Sequence, residues 1–82
     1  MSGGICLGLL RGGGMALVRH DDGYAVAELF GDDIERGDHL SGDWEALGSE
    51  VVRNITQGGR IEVYLQGSWA RAEAALRANG GM

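Results

Sequence analysis

Polar and apolar residues alternate with a period of two along much of this chain. In RIEVYLQ, residues 60–66, Ile61, Val63 and Leu65 fall on one side and Glu62, Tyr64 and Gln66 on the other. In HLSGDWEA, residues 39–46, Leu40, Gly42, Trp44 and Ala46 share one phase, and His39, Ser41, Asp43 and Glu45 share the other. A half-buried strand has this signature, because successive side chains point to opposite faces of a sheet. Gly42 in mid-strand predicts a bend or bulge. MALVRH (15–20) and YAVAELF (24–30) are two more strands, joined at Asp21-Asp22-Gly23 by a hairpin turn, since Asp-Gly favours positive φ. VVRNIT (51–56) is rich in β-branched residues and follows a turn at 48–50. ICLGLL (5–10) reads as an edge strand or an ordered tail, and GDDIERGD (31–38) as a polar loop with Ile34 tucked beneath it.

The period changes near the C-terminus. Residues 68–79 predict a helix, with Ser68 as N-cap and Trp69, Ala72, Ala75 and Leu76 as its apolar stripe. Glu73 precedes Arg77 by four residues, and Asn79-Gly80 supplies a stop. The stripe would lie over an open end or a face of the sheet. The chain is therefore expected to be mainly β: a five- to six-stranded antiparallel barrel or strongly curved sheet, of OB or SH3-like size, with one C-terminal α-helix. Residues 1–14 would be an N-terminal extension or edge strand, and 15–82 a single small barrel domain.

Composition narrows this picture. Eighty-two residues make one domain, small enough to gain from a disulfide, a metal or self-association. The single cysteine, Cys6, rules out an intrachain disulfide. A homodimer and a monomer both stay open, and residues 5–10 would be an apolar edge for self-contact. Proline is absent and glycine supplies 16 residues, so glycine makes the turns. No stretch approaches the length of a membrane span, and the N-terminus lacks the basic start of a signal peptide. The expectation is a cytoplasmic protein of bacterial style.

Charge is unevenly spread. The net charge is −5, yet residues 21–50 hold ten carboxylates and one arginine. Such a map argues against a general nucleic-acid binder, which usually presents a basic face. All seven basic residues are arginine, the residue suited to planar, bidentate contacts.

Candidate chemistry is sparse. His20, Asp21, Asp22, Asp32, Asp33, Asp38 and His39 have no metal-ligand spacing; a calcium loop starting at Asp32 would put Ile34 and Arg36 at ligand positions. No metal and no cofactor is expected. Ser41, Ser49 and Ser68 lie in no nucleophile elbow, and Cys6 sits in an apolar run. Glu28 interrupts an apolar run and is a candidate buried acid, with Arg53 as its partner. RGGGMA and QGGR match no phosphate loop.

The reading that remains is a non-enzymatic protein–protein interaction module, meeting a protein partner, a second copy, or both. Its surface would be the outward row His39, Ser41, Asp43 and Glu45, with Asp32, Asp33 and Asp38. Two alternatives stand beside it. One is a nucleic-acid-binding barrel using Tyr64, Arg53, Arg60 and Arg71. The other is an acidic inhibitor or nucleic-acid mimic.

Overall fold

The computed structural model describes residues 2–31 and 33–80. Its strands are β1 (Ser2–Leu10), β2 (Met15–His20), β3 (Gly23–Leu29), β4 (His39–Gly42), β5 (Gly48–Asn54) and β6 (Arg60–Trp69), followed by a short helix, α1 (Ala72–Ala78). The strands close into an antiparallel barrel in the order β1-β2-β3-β6-β5-β4, with β4 returning to β1. The expected barrel is thus present in its six-stranded form, with the C-terminal helix.

Residues 5–10 are an edge only in part: β4 pairs with β1 as far as Ile5, and Cys6 bonds to the Gly37 and Asp38 backbone. β1 pairs with β2 on one side and β4 on the other, and it closes the barrel. Among the described residues the stretch Leu7 to Leu10 pairs with β2 alone, so it keeps an open side on which self-contact could form.

Two β-bulges shape the molecule. In β1 the register slips between Cys6 and Gly8, which makes Leu7 an extra residue. Cys6 then faces the barrel interior with Val18, while Leu10, four residues on, faces outward beside Met15. Four residues along a regular strand would have kept both on one side. The same device works in β6, where Gln66 is the extra residue: Leu65 faces inward opposite Ala27, and Trp69 faces outward opposite Tyr24.

Two apolar clusters result. The interior holds Cys6, Ala16, Val18, Ala25, Ala27, Ile34, Leu40, Trp44, Val52, Ile61, Val63 and Leu65. The outer cluster holds Leu10, Leu17, Val26 and Ala75, flanked by Met15, Tyr24, Trp69 and Leu76. α1 covers this second cluster, so Ala75 and Leu76 of the expected stripe do lie on a face of the sheet, while Trp69 is part of that face. A helix of seven residues is marginal alone; packing over Val26 and Leu17 holds it.

Several local expectations change. The helix begins at Ala72 rather than Ser68. Ser68 and Trp69 belong to β6, where pairing with Ala25 and Tyr24 overrides the capping signal. Arg71 takes the N-cap position without a side-chain cap. β5 starts at Gly48, so the turn expected at 48–50 is already strand. β4 ends at Gly42, and Asp43 to Glu45 continue as a turn and coil. The two phases of 39–46 survive that ending: Leu40, Gly42 and Trp44 are buried, and Asp43 and Glu45 are exposed.

Gly42 makes room rather than a bend. A Cβ there would stand 2.6 Å from Val52 Cγ1 and 3.4 Å from the Trp44 ring. Gly4 makes room for the same indole, whose Nε1 lies 3.1 Å from where its Cβ would be. Trp44 fills the space the two glycines leave, and its Nε1–H donates to the Ser2 carbonyl at 2.9 Å. The Asp21-Asp22 pair forms the β2–β3 turn, and Gly23 is the first residue of β3. There a Cβ would collide with the Trp69 carbonyl.

Candidate binding face

Strand pairing assembles a polar face that no single segment contains. His39 and Ser41 alternate with buried Leu40 on β4, and Arg53 alternates with buried Val52 and Asn54 on β5. Residues directly opposite in antiparallel strands share a face. The register therefore lays out two outward rows. Arg19 pairs with Ile5, and Ile5 with His39. Gly3 pairs with Ser41, Ser41 with Arg53, and Arg53 with Arg60. The expected site residues His39 and Ser41 thus share one face with two of the arginines assigned to the nucleic-acid alternative.

Two concavities lie on this face. A groove of about 760 Å³ runs over Gly3 and Gly4, with Ile5 and Ile55 supplying apolar surface and Arg19, His20, Asp21, His39 and Ser41 polar surface. Gly3 contributes by what it lacks, since nothing lies within 4 Å of where its Cβ would stand. A second hollow of about 340 Å³ is lined by Arg53, Gly59 and Arg60. Arg19, Arg53 and Arg60 are exposed. Among the described residues the one salt bridge is Arg71–Glu73 at 3.6 Å, both side chains in solvent. Pairs of that kind contribute little.

The remaining predicted residues scatter. Asp43 and Glu45 are exposed in the β4–β5 connection, and Asp33 is exposed in the β3–β4 loop. Asp32 lies outside the described residues. Tyr64 is exposed on β6, four residues from Arg60, about 13 Å along the strand. Arg71 stands at the start of α1, held to Glu73. Among the described residues no three His, Cys, Asp or Glu side chains gather as a metal site.

Asp38 corrects the expectation of a surface acid. It is buried, and its Oδ2 accepts hydrogen bonds from Asn54 Nδ2 (2.8 Å), the Glu35 backbone N–H (2.9 Å) and Gln57 Nε2 (2.6 Å). Asn54 also donates to the Asp33 carbonyl and accepts from the Gln57 N–H. The cluster pins the β3–β4 loop to the β5–β6 turn. Burial alone would raise the Asp38 pKa; the hydrogen bonds from Asn54, Glu35 and Gln57, with His39 nearby, outweigh it and hold the carboxyl below its ordinary value.

The other candidate chemistries have structural explanations. Glu28 is half-buried and accepts from Gln66 Nε2 at 3.0 Å; Arg53 is not its partner. His20 Nε2 lies 2.9 Å from Ser68 Oγ, a pairing the sequence reading missed. The Asp22 backbone N–H points at His20 Nδ1, at a long 3.4 Å. Cys6 is buried in the barrel and burial pushes its thiol pKa up, which keeps the thiolate scarce.

Arg19 is the residue of this face that the sequence did not mark. It is a lone charge at the end of an apolar strand, and only the β1–β2 register brings it beside Ile5 and His39. No described helix is long and apolar enough to cross a membrane. Comparison with family models, with curated proteins and with solved structures found no match to this chain.

Proposed function

We propose that this chain is a non-enzymatic, cytoplasmic binding module that docks a protein partner on the outward β1–β4–β5 face. The observation that carries the reading is the convergence of Arg19, Ile5, His39, Ser41, Arg53 and Arg60 through strand register onto a surface with a groove. Apolar surface from Ile5 and Ile55 beside polar groups is the mixture that protein interfaces use. The arginines call for an acidic segment on the partner. This differs from the basic partner that the carboxylates of 21–50 suggest, because the described acids of that segment are spread over three connections and the strands β3 and β5, and Asp38 is occupied internally.

The test is capture of partners from the native host by wild-type and variant protein, with circular dichroism confirming the fold. Arg19→Glu combined with Ile55→Asp should abolish specific capture, and Asp43→Lys with Glu45→Lys should leave it intact. The opposite pattern would move the interface to the acidic turns and favour the inhibitor or mimic reading.

Nucleic-acid binding keeps one supporting observation: Arg53, Arg60 and Tyr64 all sit on the outward side of the β5–β6 hairpin. It requires salt-dependent amide shifts at those residues with a single-stranded oligonucleotide.

A further inference from the structure

Resting on the protein-docking reading and deepening it, we propose that Arg53 and Arg60, beside the bare backbone of Gly59, anchor a phosphorylated side chain of the partner. The two arginines are directly opposite across the β5–β6 hairpin, and both point outward. Neither has an ion-pair partner among the described residues. Like charges facing each other across a strand pair are unfavourable. An anion held between them removes that repulsion and adds charge-assisted hydrogen bonds.

The space suits such a group. The hollow lined by Arg53, Gly59 and Arg60 is about 340 Å³. Gly59 has φ +97°, and nothing lies within 4 Å of where a Cβ would stand, so a ligand can approach its backbone. Ser41 is the next residue in the row beyond Arg53 and brings a hydroxyl donor.

Charge selects the ligand class. A carboxylate carries one negative charge. A phosphate monoester carries about 1.5 to 2 and offers three acceptor oxygens, enough for two guanidinium forks and a hydroxyl. A nucleic-acid diester carries one charge per phosphate and comes as a long polyanion, which the net charge of −5 opposes at distance. The groove that Ser41 lines together with Ile5 and Ile55 gives the apolar neighbours of a phosphorylated residue a place to lie.

The experiment is an amide NMR titration of the whole chain with a short peptide carrying phosphoserine between apolar residues. Its unphosphorylated twin, inorganic phosphate and a single-stranded oligonucleotide serve as the other arms. The phosphopeptide should move the Ser41, Arg53, Gly59 and Arg60 amides and bind at least tenfold more tightly than its twin. Inorganic phosphate should move the same amides at higher concentration. Arg53→Gln and Arg60→Gln should each weaken the phosphopeptide about tenfold, the loss expected for one charge-assisted contact, and Arg71→Gln should change nothing. In phosphate-free buffer Arg53→Gln should melt roughly 1 to 3 °C higher, since it relieves the repulsion. Equal binding of both peptides, indifference to Arg53→Gln and Arg60→Gln, or saturation by the oligonucleotide at lower concentration would each overturn the anchor. Partner capture that needs Arg19 and Ile55 but survives phosphatase treatment of the partner would sink the anchor and leave the docking face standing.

Discussion

Two charged clusters flank the β5–β6 hairpin and treat charge in opposite ways. Asp38 is buried, and its Oδ2 meets three donors supplied by Glu35, Asn54 and Gln57. Arg53 and Arg60, on the two strands that the connection carrying Gln57 joins, are exposed, face each other and have no ion-pair partner among the described residues. A charge taken into the protein needs every partner in place, because an unsatisfied buried group is expensive. A charge left in water tolerates an unfavourable neighbour for a few tenths of a kcal/mol. The first cluster is therefore committed to holding a loop, and the second remains free to hold something else.

The largest expected effect breaks the first cluster. Asp38→Ala leaves the Glu35 N–H and the Asn54 and Gln57 amides without their shared acceptor, and it should destabilise the protein by roughly 3 kcal/mol. Chemical denaturation of the variant checks this, and a loss below about 1 kcal/mol would show that the cluster does not bear on the fold. The pH dependence sharpens the point. The Asp38 pKa is lower in the folded protein than in the unfolded chain. Its contribution is then complete above the unfolded value of about 3.9 and is lost as pH falls through the folded value. The stability gap between wild type and Asp38→Asn should stay constant from about pH 7 to 5 and narrow only below about 4. A gap that closes near neutrality would contradict a depressed carboxyl.

A smaller effect follows for Gln57, whose side chain is exposed and reaches in to Asp38. Gln57→Ala should cost about 1 kcal/mol, since water can replace one donor at the edge of the cluster. A cost equal to that of Asp38→Ala would mean that the cluster acts as one unit.

The sequence showed the hairpin 15–30 and the two phases of 39–46 because each depends on neighbours within a few residues. β1 was legible only as an edge strand or a tail, because the extra Leu7 breaks its alternation and the run 5–10 reads as apolar throughout. The helix start was misplaced because Ser68 and Trp69 satisfy a helical pattern that pairing with Ala25 and Tyr24 overrides. The candidate face was legible strand by strand, as polar phases at His39, Ser41, Arg53 and Arg60. Their union depends on inter-strand register, which no segment encodes locally. Asp38 offered no local sign of burial at all: it follows Gly37 in a polar loop, and its two side-chain partners, Asn54 and Gln57, lie 16 and 19 residues away.

The smallest effect bears directly on the second cluster. If Arg53 and Arg60 repel, removing either guanidinium removes the whole interaction. Arg53→Gln and Arg60→Gln should each stabilise the protein by about 0.3 kcal/mol at moderate salt, and the double variant should gain no more than either one. The gain should shrink as ionic strength rises, because the pair is exposed and screened. Additive gains would mean that each arginine is unfavourable for its own reasons and that the pair has no mutual term. A destabilisation would mean that the guanidiniums already hold each other in a stacked arrangement, and the contrast with Asp38 would dissolve. Non-additive, salt-sensitive stabilisation is the result that marks the pair as charge kept in reserve, at a small cost in stability, for a ligand that binds between them.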